Sequence, residues 1–170
     1  MDTLCNPTQK HFLNDKWDLY YHLPQDTNWK LDSYISIQQN IDNAEDIILL
    51  SNTIHDNIVK NCMLFVMRNG ITPTWEDPQN RNGGCFSYKV SNRNVFEVWT
   101  KLFKLICGET ICINPSYNKH VNGFTISPKK QFCIIKIWLN TTTLQDPSII
   151  TPINHLSKQG CLFKTHSPEF

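Results

Sequence analysis

Short runs of β-branched and aromatic residues, set apart by turn-forming residues, fill most of this 170-residue chain. No other feature narrows the fold as much. Trp17–Leu23, Trp29–Ile37, Cys62–Arg68, Cys85–Val90, Ile111–Ile113, Gly123–Ser127 and Phe132–Trp138 read as strands. Pro24-Gln25-Asp26, Asn69-Gly70, Asn82-Gly83-Gly84 and Pro128-Lys129-Lys130 supply the breaks between several of them. The last break joins two short strands as a hairpin does, which favours antiparallel pairing.

Three stretches read as helices. In Ser91–Gly108, Val95, Phe96, Trp99, Leu102, Phe103 and Ile106 recur at steps of three and four, with Ser91 or Asn92 to cap the start and Gly108 to end it. Asp42–His55 opens on Asp42 with Glu45 three residues on, ahead of the apolar cluster Ile47–Leu50. Pro147–Gln159 is preceded by Asp146, a helix-start signature, but carries Pro152 inside the pattern. The sum is an α+β domain: one antiparallel sheet with about three helices stacked on one face, leaving the other face free to carry a site.

The length suits a single domain, read as residues 11–170 after a short N-terminal tail, 1–10. Sixteen basic residues against fifteen acidic ones argue against a protein that coats duplex DNA or an anionic membrane. No apolar run is long enough to span a bilayer, since Lys136 interrupts Phe132–Leu139, and Met1–Lys10 does not read as a signal peptide. Seven cysteines with no C-x-x-C pair fit neither a disulfide scaffold nor a zinc ribbon, and point to a reduced, cytoplasmic compartment. The Asn140-Thr141-Thr142 sequon is then incidental. No phosphate-cradling G-x-x-x-x-G-K and no H-E-x-x-H occurs, and no histidine is placed by sequence to activate Cys85. The chain therefore reads as a binding protein rather than an enzyme, without metal or cofactor. Eighteen asparagines against three arginines suggest an AT-rich genome, such as that of a large DNA virus or a parasite.

The most informative segment is Gly70-Ile71-Thr72-Pro73-Thr74-Trp75-Glu76-Asp77, which leads through Asn80 and Asn82 to Gly83-Gly84. On composition alone it also fits a loop tryptophan plugging one end of the core beside solvated carboxylates. The segment closely resembles the signature of the eukaryotic translation initiation factor 4E family, and the likeness continues in order along the chain. His11–Trp17 resembles the family's opening, Trp29 falls near its next key tryptophan, and Glu45-Asp46 matches a helix motif. Trp99 with Leu105, Gly108 and Glu109 matches a tryptophan leading to a Gly-Glu pair, and Gly123 and Trp138 match the last strand pair.

The resemblance implies a curved antiparallel sheet with helices on its convex face, and a monomeric protein that binds the 7-methylguanosine triphosphate cap of messenger RNA. Trp29 and Trp75 are then expected to sandwich the methylated, positively charged guanine. Glu76 is expected to accept from guanine N1–H and the exocyclic amine, and Trp138 to lie near the N-methyl group. Lys129 and Lys130 occupy phosphate-binding positions, though a solvated turn explains them equally well; Lys129 stands where the family has arginine, which loses bidentate geometry. Cys85 stands where the family has a basic residue. Arg81, Lys119 and Lys136 are further cations that the sequence does not place.

On the opposite face, the positions that hold initiation factor 4G in the family are altered. Ile48 replaces a tryptophan and Ala44 a valine, while Lys104 and Lys101 replace a leucine and a glutamate. This implies a non-standard 4G-like scaffold as protein partner. The expected role is translation initiation; a cap-occupying decoy or repressor is the alternative, and a cap-processing enzyme is a more distant one.

Overall fold

The computed structural model describes residues 9–166, so the tail expected over residues 1–10 lies almost wholly outside the described residues. Seven strands form one curved antiparallel sheet: β1 (Phe12–His22), β2 (Ile35–Asn43), β3 (Met63–Arg68), β4 (Gly84–Ser91), β5 (Val121–Pro128), β6 (Phe132–Leu139) and β7 (Leu162–Thr165). Their order is β2-β1-β3-β5-β6-β4-β7. Helices α1 (Ala44–Thr53), α2 (Asp56–Asn61) and α3 (Val95–Cys107) cover one face.

The period of two in the strands divides the side chains between the faces. In β3, Leu64 and Val66 join the main core under the helices, whereas Phe65 and Met67 join a smaller cluster on the other face with Ile71, Cys85 and Trp138. Pairing of Phe65 with Thr125, of Thr125 with Lys136, and of Cys85 with Trp138 keeps those residues on the helix-free face. That face carries the site.

α3 buries Val95, Val98, Trp99, Leu102, Phe103 and Ile106, and Trp99 packs on Phe103 and Phe124 at 5.0 and 5.6 Å. Its cap residue is Asn94, not Ser91 or Asn92. Gly108 ends the helix at φ −79, and the left-handed residue is Glu109, at φ 53. The Glu109 side chain accepts from Arg68 at 2.6 Å; Arg68 also pairs with Asp15 at 2.9 Å, donates to the Val121 carbonyl at 2.8 Å and lies over the Trp17 ring. This cation ties β1, β3, β5 and the end of α3 together.

α1 begins later than the sequence suggests, because Asn43 and not Asp42 is its cap: the Asn43 amide oxygen accepts from the Asp46 N–H at 2.9 Å. The helix expected over Pro147–Gln159 does not form. Pro152 supplies no N–H and crowds the preceding turn, leaving two single 3₁₀ turns, Pro147–Ile149 and Lys158–Gly160. The third helix is α2, six residues long and too short to show a period. Trp29 lies outside the strand expected over Trp29–Ile37, which starts only at Ile35, and Ile111–Ile113 contributes one bridge, Cys112 to Ile150, in place of a strand.

Among the described residues no helix is long and apolar enough to cross a membrane, and no group of three or more His, Cys, Asp or Glu is placed to hold a metal ion.

Candidate functional site

The helix-free face opens into a cavity of about 450 Å³, and Trp29, Trp75, Glu76 and Trp138 all line it. Trp29 and Trp75 meet there from opposite ends of the sheet: the loop of Trp29 follows His22, which pairs with Met63, and the loop of Trp75 follows Arg68, which pairs with Trp17.

The loop between β3 and β4 is built to present Trp75 and Glu76. Gly70, at φ +86, turns the chain out of β3 in a conformation that a side chain would strain. Gly83 brings it back so closely past the Leu139 carbonyl that a Cβ would lie 1.8 Å from the oxygen. Between them, the two adjacent carboxylates have opposite roles. Asp77 is buried and accepts from the Thr72 N–H and hydroxyl and from the Gln79 N–H, at 2.7 to 2.8 Å. Glu76 is exposed and has no hydrogen-bond or ion-pair partner among the described residues.

Asn80, fully buried, closes the loop from below. Its amide donates to the Thr72 and Thr74 carbonyls at 3.1 and 2.8 Å, and its side-chain oxygen accepts from Asn122 at 2.8 Å. The ring Nδ1–H of His166 donates to the Asn80 carbonyl at 2.7 Å. The Asp77 and Asn80 side chains, satisfied this fully, hold the loop in one shape.

Each loop tryptophan has a histidine ring stacked on it. His22 lies parallel to Trp29, and His166 lies within 11° of parallel to Trp75, with centroids 6.1 Å apart. The two indoles keep substantial exposure, 54% for Trp29 and 41% for Trp75. Trp138 is different: it is 4% exposed and forms part of the floor, with its N–H 3.4 Å from the Thr125 hydroxyl oxygen. Tyr34, also on the wall, has its hydroxyl pushed up to about 12 by burial and by the charge of Glu76.

Lys136 is the lining cation, with its ammonium 5.5 Å from the centroid of the Trp75 ring. The sequence left it unplaced, yet the signal was available: two residues before Trp138 in a strand, Lys136 must share its face. Lys129 and Lys130 stand at the exposed tip of the β5–β6 hairpin, closed by the Lys129 N–H donating to the Phe132 carbonyl at 2.7 Å. They are not among the residues lining the cavity. Burial raises the Cys85 thiol, against the charges of Lys136 and Lys164, so it is not a thiolate poised for attack.

On the helical side, Ile48 is half exposed on α1, and Lys101 and Lys104 are exposed on α3. The two lysines line a groove with Pro152 and Ile153 that does not include Ile48. At the start of β1, the His11 ring and backbone N–H bond the Glu45 carboxylate and hold it down at about 2, while Phe12 is left exposed.

A family model described as eukaryotic initiation factor 4E matches residues 12–167. A eukaryotic translation initiation factor 4E homolog of Acanthamoeba polyphaga mimivirus is 44% identical over 63 residues, which is 37% of this chain and 23% of that protein. Eukaryotic translation initiation factor 4E of Candida glabrata is 28% identical over 145 residues, 76% of this chain and 63% of that protein. The chain thus spans less than two thirds of the length of both relatives. Among solved structures, C. elegans eIF4E-3 in complex with the 4E-binding protein Mextli and a cap analog matches with a TM-score of 0.69 at 25% identity, over 79% of this chain and 77% of that one. Ascaris suum eIF4E-3 in complex with m7G cap has the same fold, with a TM-score of 0.68 at 22% identity, over 80% of this chain and 77% of that one. The match runs from the first residue of β1 to just past β7, and the chain belongs to the eukaryotic initiation factor 4E family.

Proposed function

We propose that this protein binds the 7-methylguanosine cap of messenger RNA and supports translation initiation. One observation carries the reading: a single cavity gathers two exposed indoles, a carboxylate with no hydrogen-bond partner among the described residues, a buried indole and one ammonium. Methylation leaves a positive charge on guanine, and a flat cation between Trp29 and Trp75 gains from both ring faces. Glu76 accepts from the guanine N1–H and amino group, an edge that no other base presents. Trp138 closes the floor near the methyl group. Lys136 meets the phosphates first, and Lys129 and Lys130 stand farther out along the same hairpin. The solved relatives whose complexes contain a cap analog or an m7G cap support the reading.

The partner is a 4G-like scaffold carrying acidic residues toward Lys101 and Lys104. The same two lysines favour, as a second reading, a decoy that occupies caps and recruits nothing. A titration following tryptophan fluorescence tests the main proposal: 7-methyl-GTP binds and GTP binds far more weakly. Equal affinities would overturn it.

A further inference from the structure

We infer that the sheet face beside the cavity, over β4 and β7, binds the phosphodiester backbone of the nucleotides that follow the cap, so that the full ligand is a capped single strand. This rests on the cap-binding reading and extends it past the triphosphate.

Charge is unevenly spread over the helix-free face. The side that carries β1 and the two tryptophan loops mixes carboxylates, Asp18, Glu76, and Asp26 and Asp32 beside Trp29, with the cations Lys30 and Arg81. From β6 outward the carboxylates give out. Alternation places Phe132, Ile134, Lys136 and Trp138 of β6, and Cys85, Ser87 and Lys89 of β4, on this face. Lys164 of β7 pairs with Cys85 and shares its side, while its neighbour Phe163 packs against Phe86 on the helical side. The charged residues of these three strands on this face are Lys136, Lys89 and Lys164, with no carboxylate among them.

The register fixes where these cations stand. Cys85 is paired to Trp138 on one side and to Lys164 on the other, and Ser87 to Lys136. Two strand spacings, about 10 Å, separate β6 from β7. Cys85 thus has Lys164 directly across from it on β7, and Lys136 one pair along on β6, beside the cavity that Lys136 lines. Lys89 rests over the half-exposed Phe132 ring, 4.2 Å from its centroid. An anionic strand at Lys136 therefore has Lys164 within reach on the Trp138 side and Lys89, with the Phe132 ring beside it, on the other, the combination of cations and an aromatic ring by which single strands are held without regard to sequence. The continuity with the cavity favours nucleic acid over an acidic polypeptide: a capped message arrives already tethered there.

The test compares 7-methyl-GTP, the dinucleotide m7GpppG, and capped and uncapped ten-nucleotide RNAs, each titrated against the wild type and against K89A/K164A. A K119A/K158A protein serves as a control for bulk charge. The wild type is expected to bind the capped RNA several-fold tighter than m7GpppG, with a salt slope steeper by about 1.4, two contacts at about 0.7 each. K89A/K164A should lose that advantage and that slope while keeping its affinity for 7-methyl-GTP; the control should keep both. A wild type that binds m7GpppG and the capped RNA alike would overturn the inference and leave cap binding intact. So would loss of 7-methyl-GTP affinity in K89A/K164A, which would assign the lysines to the triphosphate, or uncapped RNA bound as tightly as capped. Failure of 7-methyl-GTP to bind any of the proteins is the separate outcome that removes the cap reading itself.

Discussion

The imidazole of His22 lies flat on the indole of Trp29, with centroids 4.1 Å apart and planes within 4°. His22 is fully buried at the end of β1, its ring nitrogens 3.0 Å from the Leu23 carbonyl and 2.8 Å from that of Asn28. A half-exposed tryptophan on a loop is thus held against a ring that cannot move. Aromatic pairs of this kind contribute about 0.5–1.5 kcal/mol. His22→Ala should weaken 7-methyl-GTP binding by about two- to tenfold with little change in the fold, and His22→Phe should recover most of the loss. Fluorescence titration of the two variants checks this.

Trp29→Ala or Trp75→Ala should each abolish the preference for 7-methyl-GTP over GTP. Glu76→Ala should weaken both ligands strongly, because the guanine donors would be desolvated without an acceptor. A circular dichroism spectrum like that of the wild type accompanies each result if the residues act on ligand and not on folding.

Lys136→Ala should weaken 7-methyl-GTP by about tenfold, the effect of one charged contact of about 1–2 kcal/mol. Binding of 7-methylguanosine, which has no phosphate, should change less. Lys129→Ala should show the same ligand dependence at smaller amplitude, since Lys129 lies at the hairpin tip, outside the cavity wall. Equal losses for both ligands would remove either lysine from the phosphate path.

Arg68 is 14% exposed at its side chain and pairs with Glu109, itself 17% exposed, and with Asp15. Arg68→Met leaves Glu109 without its cation and should cost about 3 kcal/mol. Urea denaturation should show this as a lower midpoint with an unchanged slope.

His166 has its pKa lowered from 6.5 by burial first and by the nearby Lys136 charge, against the bond to Asn80. A histidine with a lowered folded-state value takes its proton first in the unfolded chain. Its share of stability is therefore full above about pH 6.5 and is lost as the pH falls through the folded value. Thermal melts should fall between pH 7 and 5 by more in the wild type than in His166→Gln.

The strands were legible because one face of the sheet is buried and alternation shows in the residues themselves. α3 was legible because its apolar stripe runs for more than three turns. Where the sequence misled, long-range geometry decided. Pro147–Gln159 has a helical start, but nothing local reveals that Pro152 outweighs it. β7 is four residues long and gains its partner, β4, from more than seventy positions away. Trp75 and Glu76 stood out within a segment whose turn residues make no core element. His22 and His166 could not, since a histidine declares itself only by the ring it lies against. Lys136 was recoverable from its phase with Trp138, whereas Lys164 depended on β7 and so was hidden with it.

Asn80 accepts from Asn122, 42 residues later, and its carbonyl from His166, 86 residues later. The loop that carries Trp75 and Glu76 is therefore among the last parts of the molecule to take shape, since contacts so distant in sequence close late. During synthesis, Trp29, Trp75 and Glu76 leave the ribosome early, but the hydrogen bonds that fix the Trp75 loop wait for Asn122 and then for His166. The last tie on that loop thus arrives just after β7, so a chain arrested before it would carry its tryptophan and glutamate on a loop held less firmly than in the finished protein.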